Sequence, residues 1–186
     1  MANTVANVTT GKPAVTGAIY RAPLSSTPTI PTDAVTALGS EFKALGYASD
    51  DGLTNTNSPE TDEIKAWGGD VVLTPETGKP DEFNIKLIES LNVDVIKTVY
   101  GANNVTGTIS TGLTVKANSD AQEEACWVFE TILRGNILKR IVIPDAVISE
   151  IGDIIYKDDE AIGYELKLKA MPDSAGQTHY EYLKSA

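Results

Sequence analysis

The chain is poor in the residues that usually carry chemistry. Its 186 residues include one histidine and one cysteine, and fifteen lysines and arginines face twenty-six aspartates and glutamates. The single cysteine, Cys126, excludes an intramolecular disulfide, which agrees with a cytoplasmic origin. The single histidine, His179, excludes histidine-rich metal sites, and a histidine-based triad would have to use it. No run of about 18 apolar residues occurs, so no membrane-spanning helix is expected. Met1-Ala2-Asn3-Thr4 lacks the basic region and apolar core of a secretion signal, so none is expected there. Asn7-Val8-Thr9 and Asn104-Val105-Thr106 match the glycosylation pattern, and without secretion they are incidental. Basic residues are too scarce for a nucleic-acid footprint: the formal net charge is −11. That excludes a tight grip on DNA, but not a surface that repels it.

What is present suits one globular domain with arms. Hydrophobic residues make up 41%, enough for a core at this length. Residues 1–16 are Asn, Thr, Val, Ala, Gly and Pro without a period, which reads as an extended arm before a single domain at 17–186. "GAIYRAP" (17–23) is a strand candidate. A long loop, 22–44, contains Pro23, Pro28 and Pro31, and Asp33 is placed to cap a short helix through Phe42. So long a connection usually binds something or moves.

From Leu45 onward the pattern is mostly strand. "LGYAS" leads to a predicted turn at Asp50-Asp51-Gly52, and "TDEIKAW" and "DVVLTPE" flank Gly68-Gly69 as a hairpin or bulged bend. "EFNIKLIE" alternates, with Phe83, Ile85 and Leu87 on one face. Leu91, Val95 and Val99 then fall at helical spacing, with Ser90 or Asn92 to cap and Gly101 to stop, so a helix is predicted at about 91–100. The second half reads as strands: "VTGTIS", "LTVKAN", "ACWVFETIL", "ILKRIVIP", "AVISEIGDIIY" and "IGYELKLKA". Lys157-Asp158-Asp159-Glu160 is the turn between the last two, and "THYEYL" is an edge strand or C-terminal arm. About ten short strands and one helix predict a mainly β domain, two packed antiparallel sheets with one flanking helix.

The candidate chemistry is thin. His179 lies in a polar and aromatic run, which reads as an exposed or interface position, and Cys126 in "EACWVFE" reads as a buried thiol. Glu63 and Asp70 flank Trp67, so a carboxylate pair for glycoside hydrolysis is the best enzymatic option, although an acidic chain offers many such pairs. "SDDGLTNTN" lacks the ligand spacing and closing Glu of a calcium loop. Gly68-Gly69 lacks the Lys-Ser/Thr of a phosphate loop and opens no helix. No cofactor or metal is expected. Trp67-Gly68-Gly69-Asp70 reads instead as a structural bend whose glycines permit a tight turn beside an indole that packs on the sheet or on a neighbour.

"LGYASDDGLTNTNSPETDEIKAWGGDVV" followed by "EFNIKLIESLNVDVIKTVYGANNVTG" resembles the major tail tube protein of long-tailed bacteriophages. The resemblance rests on the order of a Leu-Gly-Tyr strand, a polar loop, the Trp-Gly-Gly-Asp bend, a Phe-x-Ile-x-Leu-Ile-Glu strand and a helix ending in Val99-Tyr100-Gly101. It implies a non-enzymatic virion protein assembled in the host cytoplasm. Six copies would close into a ring, and rings would stack into a hollow tube around a tape-measure protein. Terminator and tail-tip proteins would sit at the ends, and DNA would pass without tight binding. Glu63, Glu150, Asp153, Asp158, Asp159 and Glu160 are the candidates for an acidic channel wall or surface. Three alternatives stay open: another tail-tip, baseplate or contractile-device tube protein, a carbohydrate-binding β-sandwich using Trp67, Trp127 or the tyrosines, and the Glu63/Asp70 glycosidase.

Overall fold

A computed structural model describes residues 3–14 and 18–186. Gly17, the first residue of the "GAIYRAP" strand, lies outside them, as do residues 1, 2, 15 and 16 of the arm. The strands are β1 (Lys12–Pro13), β2 (Ile19–Pro23), β3 (Lys43–Ala44), β4 (Ala48–Asn57), β5 (Glu60–Thr61), β6 (Ile64–Lys65), β7 (Val71–Leu73), β8 (Glu76–Gly78), β9 (Asp81–Leu87), β10 (Val105–Thr108), β11 (Gly112–Val115), β12 (Ala125–Leu133), β13 (Ile137–Ile151), β14 (Tyr164–Ala170) and β15 (Tyr180–Ser185). Among the described residues one α-helix, α1 (Val93–Tyr100), lies between β9 and β10. The architecture is mainly β and antiparallel, as the alternating runs predict.

Nine strands form one hydrogen-bonded sheet in the order β3-β2-β12-β13-β14-β9-β4, with β1 added on β12 and β15 on β13. The sheet folds over on itself. β9 is three strands from β12, about 14 Å on a flat sheet, yet the Phe83 and Phe129 rings stack with centroids 6.4 Å apart. The fold line is β13, whose first half pairs with β15 and whose second half pairs with β14. "ILKRIVIP" and "AVISEI" are therefore one strand. Pro144, which has no N–H to donate, sits where the pairing with β12 jumps from Trp127↔Ile143 to Ala125↔Ala146. Between the two layers lies the main core: Trp127, Phe129 and Ile143 from one side, Phe83, Ile85, Leu87, Leu166 and Leu168 from the other, closed by Val95 and Val99 of α1.

The helix starts two residues later than the spacing predicts. Asn92 caps it by accepting from the Asp94 amide, and Leu91 stays outside and exposed. The other differences have local causes. Asp33 accepts from the Val35 and Thr36 amides and the Thr36 hydroxyl, but the turn does not propagate into a helix. Asp50-Asp51-Gly52 is not a chain reversal but a bulge within β4, where the pairing with β9 jumps from Ala48 to Leu53. β13 ends at Ile151, so the connection to β14 spans 152–163 rather than a four-residue turn. "THYEYL" does supply a pairing strand, β15.

The arm and the long loop are built into their own subunit. Lys12 and Pro13 pair with Ile132 and Thr131, and Thr9 Oγ1 accepts from the Arg134 amide. Loop 22–44 covers the second face of β12 and β13, where Cys126, Val128 and Val142 meet Ala22, Phe42, Leu24, Ile30 and Leu38. β12 is thus buried on both faces, which explains why its sequence is apolar without alternation. Burial pushes the Cys126 thiol up to about 12, so the thiol is inert, as its setting predicts. Buried Arg140 pins the loop: it donates to the carbonyls of Asp33 and Thr36, each at 2.9 Å, and pairs with Glu130.

Candidate assembly surfaces

β4 and β9 are neighbours up to Asn57↔Asp81, and beyond that pair the chain runs outward as a hairpin. Two short ladders carry it, β5 with β8 and then β6 with β7. Its tip is closed by Ala66 N–H donating to Asp70 O at 2.8 Å and Gly69 N–H donating to Ala66 O at 3.0 Å. Gly68 and Gly69 hold φ of 120° and 100°, a region that residues with a Cβ rarely occupy, and open space surrounds both. Both positions thus need glycine for their backbone conformation, and within the subunit neither packs closely on a neighbour.

Of the two settings expected for Trp67, the sheet or a neighbour, the subunit does not supply the first. The indole packs on nothing in its own chain and is fully exposed. Ile64, Val71, Val72 and Leu73 accompany it, each about half exposed or more, and no residue from Ser58 to Pro80 is buried. A two-stranded ribbon is marginal in water by itself. One that also exposes five large apolar side chains has the character of an interaction surface. Sequence reading found the bend and Trp67 but missed Ile64 and the Val71–Leu73 run. Their apolar character is ordinary for strands, and only the absence of a covering layer marks them.

Within one subunit the six acidic candidates lie apart. Glu63 is on the hairpin, 3.4 Å from Lys65. Glu150 lies in β13, opposite Lys167 of β14. Asp153, Asp158, Asp159 and Glu160 belong to loop 152–163, where Lys157 approaches Glu160 at 3.2 Å. That loop enters β14 at Tyr164, which pairs with Leu87, at the opposite end of β9 from the hairpin. The two acidic groups are thus about 20 Å apart along the strands. Between them, the solvent face of β9 and β14 presents Glu82, Asn84, Lys86, Glu165, Lys167 and Lys169. Lys167 lies 2.9 Å from Glu82, and that hydrogen bond raises its pKa. This face alternates in sign.

One buried polar cluster anchors the hairpin, and sequence reading missed it. Asp81 begins β9 at the hairpin's root with its side chain out of water. Asn55 Nδ2 donates to it at 2.7 Å and the Thr178 hydroxyl at 2.6 Å, while His179 Nδ1 lies 2.5 Å from Oδ2. Burial alone would raise the Asp81 pKa, but these three partners hold it below the ordinary carboxylate value. His179 is therefore partly buried rather than exposed: it packs edge-on to Phe83 and ties the segment before β15 to the hairpin's root.

No helix among the described residues is long and apolar enough to cross a membrane. No curated protein matches the chain. A family model described as phage tail tube protein matches residues 4–186, nearly the whole chain and far beyond the 45–107 stretch that carries the resemblance in sequence. An acidic β-rich subunit with an uncovered apolar hairpin is what a protein that buries its surface against copies of itself requires, and the chain belongs to the phage tail tube protein family.

Proposed function

We propose that this chain is the repeating subunit of a long, non-contractile phage tail tube, closing into rings of six that stack around a tape-measure protein, with terminator and tail-tip proteins at the ends. Its task is structural and it carries no catalysis. Assembly takes place in the host cytoplasm, and DNA passes through the finished tube. The observation that carries this reading is the uncovered apolar hairpin on a chain of this family. Five exposed large apolar side chains on one ribbon are a liability for a monomer and a contact surface for a polymer. The open edge strand β4, ten residues long, supports lateral closure, since joining edges between subunits removes unpaired backbone groups.

Passage of DNA without adhesion follows from charge. The net charge is −11, and the β9/β14 face sets lysines beside glutamates rather than in a basic stripe. Negative-stain microscopy of the concentrated protein tests the reading: rings or tubes with a central hole are expected, and dispersed monomers at all concentrations contradict it. A mobility assay with duplex DNA at about 50 mM salt is expected to show no complex. Salt-sensitive micromolar binding would demand a basic surface.

A further inference from the structure

We infer that the apolar hairpin of one copy seats on the opposite end of the next copy, on a patch formed by Tyr47, Leu91, Ile155 and Tyr156. The inference rests on the tube reading and adds the identity of the receiving surface. It follows from the strand register. The hairpin leaves the sheet beyond Asn57 and Asp81. At the other end of the same ladder, Ala48 pairs with Leu87 and Leu87 with Tyr164. Three segments therefore emerge side by side there: 45–47 before β4, 88–92 after β9, and 152–163 before β14. Each carries exposed large apolar side chains: Tyr47 and Leu91 at 74% exposure each, Tyr156 at 71% and Ile155 at 49%. Tyr47 is tied to the 88–92 segment, since its carbonyl accepts from the Ile88 amide and its amide donates to Glu89 Oε1. Beside it lies an open depression of about 500 Å³ lined by Ile88, Glu89, Ser90, Leu91 and Asn92.

A protruding apolar element at one end and an apolar patch at the other form the arrangement of a head-to-tail contact, which repeats without limit when rotation does not close it. The occupant is a second copy because the family is one that builds a tube from copies of itself, and because the hairpin reaches up to about 30 Å from the sheet. Charge opposes the contact. The hairpin carries Glu60, Asp62, Glu63, Asp70 and Glu76 against Lys65 and Lys79, while the receiving end carries Glu89, Asp153, Asp158, Asp159 and Glu160 against Lys157. The attraction must therefore be apolar, and salt must help it by screening the repulsion.

Disulfide trapping tests the pairing, because the native thiol of Cys126 is buried and inert. A chain carrying both Val72→Cys and Leu91→Cys, assembled and mildly oxidised, is expected to give a covalent ladder on a non-reducing gel. Either single variant is expected to give none. Tubes that form without a ladder, while Val72→Cys with Ile109→Cys, in the exposed turn between β10 and β11, does produce one, would place the receiving patch elsewhere and leave the tube reading intact. A parent protein that never forms rings or tubes would overturn the tube reading itself. Independently, Tyr47→Ser combined with Leu91→Ser is expected to reduce tube yield at least tenfold without changing the melting temperature. Raising salt from about 20 to about 500 mM is expected to increase tube yield, and tubes that dissolve with added salt would contradict an apolar contact between acidic ends.

Discussion

The two tryptophans of this chain occupy opposite extremes. Trp127, in β12, is fully buried between the layers and stacks with Phe129, and β12 is covered on both faces. Trp67, at the hairpin tip, is fully exposed and touches no core. Trp127 lies in an apolar strand and Trp67 at a turn between short strands in charged sequence, and the two also differ in what lies beside them. β12 has β2 and β13 as neighbours, the opposing layer on one face and loop 22–44 on the other. The hairpin has only its own return strand. Side chains of β12 stabilise the subunit, and those of the hairpin have stability to offer only when a second molecule covers them.

Substitutions in the two regions should therefore separate folding from assembly. The largest effect on folding is expected from Trp127→Ala, which empties a large central site and should cost about 3–5 kcal/mol in chemical denaturation. A loss under about 1 kcal/mol would mean that the layers do not close on this side chain. Arg140→Met comes next. It strands Glu130 and frees two loop carbonyls, at about 2–4 kcal/mol, and limited proteolysis should cut loop 22–44 faster than in the parent. Asp81→Asn should cost about 1–3 kcal/mol by weakening the hairpin's root. Its pH dependence is specific. Because the folded-state pKa is depressed, the carboxylate's contribution is fully present above its ordinary pKa of 3.8 and is lost as pH falls through the lower folded value. The parent's acid melting curve should carry this slope and the variant's should lack it.

Smaller still are the effects at the tip. Gly69→Val forces a residue with a Cβ to φ near 100°, a local cost of about 1–3 kcal/mol. The hairpin is open to solvent and can rearrange apart from the core, so the main thermal transition should stay put while tube formation fails. Trp67→Ser should shift monomer stability by no more than about 0.5 kcal/mol and still abolish tubes in micrographs. A clear drop in monomer stability would mean that the indole is covered within its own subunit.

Much of the fold was legible because alternation reports burial directly. Phe83, Ile85 and Leu87 read as one inward face and are one, and Val95 and Val99 read as the buried side of a helix and are. What stayed hidden depends on partners distant in sequence. Nothing local distinguishes Asp81 from the chain's many exposed acids until Asn55, Thr178 and His179 converge on it. Pro144 reads as a break between strands, and only a bulge in β13 itself, where Pro144 and Asp145 lie opposite Cys126 alone, lets the strand run through. Asp33 carries a real capping signal, yet Arg140 takes the Asp33 and Thr36 carbonyls, and Val35, Thr36 and Gly39 are weak helix formers, so the turn does not propagate. For the candidate surface, the tip geometry was readable from Gly68-Gly69, but the exposure of Trp67 was not. Indoles are usually covered, and on the proposed reading the cover is supplied by another copy.

Collisional quenching of tryptophan fluorescence by acrylamide, followed through assembly of the unaltered protein, tests the central claim most directly. With Trp127 shielded in the core and Trp67 fully in water, the dispersed subunit should show one readily quenched and one protected population. In tubes the quenched population should disappear as the hairpin is covered. Tubes in which Trp67 remains as accessible as in the dispersed protein would contradict the assignment of the hairpin as the surface that joins subunits.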